Sequence, residues 1–574
     1  MEGILFSNLN EIVKNKEVIN EIQRDDVWGI MPYEAGRIKG NALVTTEIGF
    51  PADVVFQPKL EGWHKVFICS NRMDGGFRLH MKFDNEEHYT IIGNSGHPPK
   101  TSWCSTTSME ELFWCCADMT DREIILHKHH SCERITTLVW LRFVPMTEEE
   151  IEAYKDYINA DGRRNLHVHF DNDTNDLIGV DSMEDMLLLN YTVKDTDTKI
   201  CTQEIMDDYY DEAAYDEHDR ALNYRTIRYN AQNKKIAAMM DDVVKARLDL
   251  MHGMGIKLYA GFRLSMARNT QPWTPLMFYS IMKNPAYHVQ TRDGRFTPIA
   301  SYTYPEVRRY AIDYIKRAVK RGYDGVSLIA HRGVLMAFEK PVRDEFARRY
   351  GSDIDVCRVP MDDPRLKDIW GEFFAQFVRE LRSELDAEMG RHIPINVITG
   401  ISPEASRRMG VDIEILAKEG LIDHFCAEGM DHFENTTDYL AEDGLIDLEK
   451  YKELLPDQYM VLRRYWEDWD SVEKATPQFI EIAEKYGVEF FAGMSPNGGN
   501  SEKYLAWLDK LRALGVKNFS FFNFCHNGCR DRTVIHVGMK TGHTPNPEYY
   551  LPKFYRVLSL DGIDMSTYVP GWRG

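Results

Sequence analysis

No run of about 18 apolar residues occurs in this 574-residue chain, so no membrane-crossing helix is expected. The N-terminus, MEGILFSNLNEIVKNKE, lacks a basic segment followed by an unbroken apolar core, and no secretory leader is expected. Positive charge is scarce: 69 Lys and Arg face 90 Asp and Glu, a formal charge of −21. That balance repels a nucleic-acid backbone and an anionic membrane over most of the surface, so neither is an expected partner. The ten cysteines have no framework spacing and read as reduced thiols of a cytoplasmic protein. Cys525 and Cys529 in CHNGC lack a second pair to complete a metal site, and neither metal nor cofactor is expected.

What is present is a globular composition, 43% hydrophobic with 12% aromatic residues, enough for a full core and more than one domain. Residues 1–146 read as short β-rich runs, among them GWHKVFICSN, GFRLHMKFD, HYTIIGNS, REIILHKHH and TTLVWLRFVP, which predict a β-sandwich. PMTEEEIEAYKDYI, with a Thr and acids at its start, predicts a helical connector over 147–164. From 165 to 574, apolar strand-like runs alternate with amphipathic stretches such as PEVRRYAIDYIKRAVKRG, the pattern of β/α units around a parallel sheet. Eight strand candidates stand out: LHVHF, KICTQEIM, IKLYAGFR, GVSLIAHR, INVITG, DHFCAEGM, EFFAGMS and NFSFFNFC. Eight strands close a (β/α)8 TIM barrel, an α/β fold.

Barrel chemistry sits at the C-terminal ends of the strands. Strand one offers His167, His169, Asp171 and Asp173 in one parity; strand two offers Glu204; strand three Tyr259 and Arg263. Strand four ends in His331 and Arg332, strand six in Glu428, and strand eight in Asn523 followed by His526. Hydrolysis of a glycoside needs two carboxyl groups, one protonated and one ionised. Glu428, flanked by Phe425 and Cys426 in FCAEGM, is the candidate general acid, because burial disfavours a carboxylate. Asp171 and Glu204 are its candidate partners; a helix cap and a buried ion pair are their respective structural readings. Arg263, His331, Arg332, Asn523 and His526 are expected to hold substrate. Loop aromatics such as Trp273, Tyr279, Tyr465, Trp466 and Trp469 suit sugar stacking, or anchor their loops.

The runs YAGFR, NPAYHVQTRDGR, YPEVRRYAIDYIKRAVKRGYDGVSLIAHRG and EFARRYGSD, in that order, resemble the family 10-like glycosyl hydrolase barrels. The likeness spans roughly residues 160 to 545, and LRFVPMTEEEIEAY looks like the end of the β-domain that often precedes such barrels. It implies a carbohydrate substrate, a bacterial source and a role for Arg263. Better-known relatives carry an acid at the end of strand four, where this chain has Ala330, His331 and Arg332. The expected activity is therefore a glycosidase whose acids come from strands one, two and six. Other readings stay open: a sugar-binding barrel without catalysis, a sugar lyase, or a metal-dependent amidohydrolase-like barrel using His167 and His169. The last wants further ligands at strands five, six and eight that the sequence does not supply. Homo-oligomerisation is also left open.

Overall fold

A computed structural model describes residues 3–94 apart from 36, 47–48 and 73–76, then 108–128, 136–159, 164–170, 190–205 apart from 195, and 240–264. It further describes 284–330 apart from 293 and 295, 335–428 apart from 361–362, 469–494, 501–522, and the single residues 183, 187 and 281. The chain divides into two compact units, one containing Met1–Arg164 with Asn175–Asp197, the other containing Asn165–Thr174 with Thr198–Asn523.

Among its described residues the first unit holds three four-stranded sheets. Its strands alternate inward apolar with outward polar residues: Leu79, Met81 and Phe83 enter a core shared with Ile124, Leu126, Ile68, Leu141 and Phe143. Thr137–Leu138 pairs with Ile38–Val44, and Trp140–Pro145, one residue later, pairs with Trp63–Arg72, so a single extended run serves two sheets. The helix Glu148–Asn159 begins with a reciprocal cap. Thr147 Oγ1 accepts from Glu150 N at 3.2 Å, and Glu150 Oε2 accepts from Thr147 N at 3.1 Å.

The second unit is a closed barrel of eight parallel strands. They are labelled β1 (Leu166–Phe170), β2 (Thr198–Glu204), β3 (Lys257–Arg263), β4 (Gly325–Ile329), β5 (Ile395–Thr399), β6 (His424–Ala427), β7 (Glu489–Gly493) and β8 (Asn518–Phe521). Pairing of Leu166 with Phe519 and His167 with Ser520 closes β1 onto β8. β4 ends at Ile329, short of the His331 that the sequence pattern assigns to it. Helices Pro305–Val319, Pro364–Met389 and Ser501–Ala513 lie where amphipathic periodicity places them, the second starting six residues before Trp370. Asp363 accepts from Arg365 N at that helix start, and left-handed Gly390, φ 63°, ends it, as a C-terminal cap requires.

The base of the barrel is pinned by a repeated device. Asp324, just before β4, donates its N–H to Leu258 O at 2.9 Å and accepts from Leu258 N at 2.8 Å. Asp423, just before β6, does the same with Ile395, at 2.9 and 2.8 Å. Each aspartate also meets a histidine, His252 at 2.9 Å or His392 at 2.6 Å. Inside the base, Lys199 of β2 reaches both oxygens of Glu489 on β7, at 2.6 and 2.7 Å.

Candidate functional site

Alternate residues of each strand point into the barrel, so the interior is built in layers. The lowest aromatic layer brings Tyr259, His424 and Phe491 together, with ring centroids 5.4 Å and 5.7 Å from His424. Burial pushes the His424 imidazole down to about 4, against the opposing pull of Glu489 and Asp423. Above it lies a ring of side-chain hydrogen bonds. Asn396 Nδ2 donates to Ser327 Oγ at 3.0 Å, and Ser327 Oγ lies 2.6 Å from Thr202 Oγ1. Thr202 Oγ1 is 2.6 Å from His167 Nε2, His167 Nδ1 is 3.0 Å from Cys426 Sγ, and the Cys426 thiol donates back to Asn396 Oδ1 at 3.5 Å.

The proton positions in this ring follow from its one fixed donor. The Asn396 amide gives to Ser327, so Ser327 gives to Thr202 and Thr202 to His167 Nε2. With the Cys426 proton donated to Asn396 Oδ1, His167 Nδ1–H donates to the sulfur, which is also hydrogen-bonded to Ser520. Every donor then runs in the same sense, an arrangement in which each bond strengthens the next. It requires a neutral His167, and burial does hold that imidazole well below its ordinary value, with His424 and His169 adding to the effect.

One layer higher, at the mouth, the side chains carry charge. Arg263 Nη2 donates to Glu204 Oε1 at 2.5 Å, with 8% and 7% of the two side chains exposed. His169 Nε2 lies 3.1 Å from the same oxygen, and its ring centroid is 4.4 Å from that of Phe522. The Nδ1 of completely buried His169 has no hydrogen-bond partner among the described residues. Glu428, also completely buried, follows β6 with its N–H on Thr399 O at 2.9 Å, and the Ser520 hydroxyl of β8 donates to its Oε1. Gly493 of β7 makes room for this: a Cβ there would lie 2.4 Å from Ala427 O and 3.2 Å from Glu428 Cα. Two buried carboxyl groups thus rise from strands four places apart in the barrel, one paired with a guanidinium and one bonded to a neutral hydroxyl.

The fold is a TIM barrel. The chain matches no protein-family model and no curated protein sequence. Among solved structures it is similar to the catalytic domain of β-amylase from Paenibacillus polymyxa, at 10% identity and TM-score 0.37 over 67% of this chain and all of that one. It is also similar to the α-galactosidase TtGalA from Thermus thermophilus, at 11% identity and TM-score 0.33 over 89% and 94% of the two chains. A malate synthase from Haloferax volcanii aligns at 9% identity and TM-score 0.28, over 67% and 74%. Similarity at this distance leaves the reaction to the strand ends.

Of the residues singled out from sequence, Glu204, Arg263 and His169 come together, and Glu428 stands at the same end of the barrel. Asp171, Asp173, His331, Arg332, Trp466, Asn523 and His526 lie outside the described residues, as do Trp273, Tyr279, Tyr465, Cys525 and Cys529. Trp469 does not belong to a loop: it opens the helix Trp469–Tyr486 and packs edge-on against Trp507, centroids 4.9 Å apart, with Lys510 over its face. His167 is no partner for His169 in a metal site, because both its ring nitrogens are engaged inside the core. No group of three His, Cys, Asp or Glu suited to a metal occurs among the described residues.

Sequence reasoning missed Ser520 and the polar ring. The available signal was small polar residues recurring inside apolar strand runs: Thr202 in CTQE, Ser327 in GVSLI, Asn396 in INVIT and Ser520 in NFSF. It also missed Glu339, beyond the end of β4. This glutamate is completely buried at the start of the helix Lys340–Tyr350, and its Oε2 accepts from Ala337 N at 2.7 Å. Burial pushes its carboxyl up to about 7, against hydrogen bonds from Ser301 and the backbone and the charge of Arg343.

Proposed function

We propose that the chain is a glycoside hydrolase, with Glu428 as general acid and Glu204 as nucleophile or base. The supporting observation is the contrast between two buried mouth carboxyls: Glu204 in an ion pair with Arg263, Glu428 bonded to the Ser520 hydroxyl. A glycosidase needs this division of labour. Glu428 gives its proton to the glycosidic oxygen as the C1–O bond breaks and its electron pair moves to that oxygen. Glu204 attacks C1, or takes a proton from the water that does. Arg263 then holds the carboxylate in place, and His169 offers Nδ1 to a substrate hydroxyl.

In this reading Asp171 is the alternative partner of Glu428, while His331, Arg332, Trp466, Asn523 and His526 bind sugar, as the family 10-like resemblance implies. The substrate is an oligosaccharide or glycoside, and residues 1–146 form an accessory β-domain. Cys69, Cys115, Cys116, Cys201, Cys357 and Cys426 are free thiols, which favours a reducing compartment.

The test is turnover of a panel of nitrophenyl glycosides and plain oligosaccharides by the full chain and by Glu428→Gln and Glu204→Gln. Hydrolysis is expected, with roughly 10²–10⁴-fold lower kcat in each variant and retained ligand binding. A sugar-binding barrel turns over nothing, and its ligand affinity barely changes in Glu428→Gln. A lyase releases an ultraviolet-absorbing unsaturated sugar.

A further inference from the structure

We propose that Ser520 is the positioning residue for the acid, fixing which oxygen of Glu428 carries the proton that is delivered. The inference rests on the reading of Glu428 as general acid and adds to it a division between its two oxygens. The Ser520 hydroxyl donates to Oε1. An oxygen that is accepting a hydroxyl proton is a poor place for the acidic hydrogen, so the protonated acid carries it on Oε2. As the proton leaves for the glycosidic oxygen, negative charge appears on Glu428, and the Ser520 bond becomes charge-assisted at that moment. The bond is therefore stronger in the transition state than in the ground state, which is the condition for accelerating the chemical step.

The surroundings hold Ser520 to this task. Its strand neighbour across the β1–β8 seam is His167, and on the other side it pairs with Gly493, whose missing Cβ admits Glu428. Its own backbone carbonyl accepts from Met494 N at 2.7 Å. The nearby Cys426 thiol, held neutral by burial, is hydrogen-bonded both to Asn396 and to the Ser520 hydroxyl, which adds a second contact that fixes the serine side chain. The serine is fixed in β8, with its hydroxyl aimed at the carboxyl group.

The experiment compares Ser520→Ala, Ser520→Thr and Glu428→Gln with the unaltered full chain, on two glycosides of whichever sugar it hydrolyses. One carries dinitrophenol, a leaving group that departs without a proton; the other carries a simple alcohol that needs one. Thermal melts confirm folding. Ser520→Ala should lower kcat on the alkyl glycoside roughly 10- to 100-fold, change it less than about 3-fold on the dinitrophenyl glycoside, and leave KM nearly constant. Ser520→Thr, which keeps the hydroxyl, should recover most of the loss. Equal losses on both substrates, no loss on either, or no rescue by threonine overturns the role of Ser520 while Glu428→Gln still abolishes alkyl glycoside turnover. If Glu428→Gln keeps that turnover, or the full chain hydrolyses no glycoside, the acid reading itself falls.

Discussion

The two ends of the barrel use acidic residues in opposite ways. At the base, Asp324 and Asp423 are part-exposed and each is tied to a backbone N–H of the preceding strand. At the mouth, Glu204 and Glu428 are buried, Glu204 beside Arg263 and His169 and Glu428 on the Ser520 hydroxyl. A carboxylate bound to the backbone of a neighbouring strand holds the two strands in register; one bound to side chains orients those side chains instead. The same residue type thus ties backbone at one end and side chains at the other, where the proposed chemistry lies.

The largest effect should come from Glu428→Gln, with about 10²–10⁴-fold loss of kcat and a melting temperature unchanged or raised, read by steady-state assay and calorimetry. A large loss of stability there would erase the distinction between the ends. Glu339 sharpens it, since it lies on the mouth side yet serves the fold. Its folded carboxyl keeps its proton to about 7 while the unfolded one releases it near 4.5. The contribution of Glu339 to stability is therefore fullest below pH ~4.5 and declines as pH rises toward 7, after which its penalty is constant. Glu339→Gln should remove that decline and gain at most about 3 kcal/mol at pH 8 relative to pH 4, measured by urea unfolding. Gly493→Ala should cost about 1–3 kcal/mol through overpacking and also lower activity by displacing Glu428. Normal turnover in that variant would show that β7 does not position the acid.

At the base, Asp423→Ala should leave turnover unchanged and cost about 1–2 kcal/mol. Burial alone would raise this carboxyl, but hydrogen bonds from His392, Ile395 N and Arg382 hold it below the usual carboxylate range. Its contribution is present above pH ~4 and lost as pH falls through the lowered value. Acid unfolding of the variant should accordingly be less steep than that of the unaltered chain.

All eight barrel strands are legible in the sequence because apolar runs of four to eight residues, separated by amphipathic helices, have few other solutions. Strand ends are less so: GVSLIAHR carries no local mark that pairing stops at Ile329. The mouth acids follow from parity, which identifies Glu204 and Glu428 as inward residues but is silent on their partners. Arg263 is separated from Glu204 by 59 positions, and Ser520 from Glu428 by 92. Such pairings are made by closure of the sheet. In the first unit, GFRLHMKFD shows its alternation plainly, whereas Trp28–Ala35 includes Pro32 and Gly29, which mask a strand that pairs through seven residues.

The polar ring beneath the mouth also has a hereditary consequence. Its members come from five strands, and Cys426 lies 259 positions from His167. Because the donors run head to tail, exchanging one member for an apolar residue strands a proton on one neighbour and a lone pair on the other. Descendants of this barrel should therefore change positions 167, 202, 327, 396 and 426 in concert. A lineage that abandons one polar member should replace its neighbours in the same evolutionary interval.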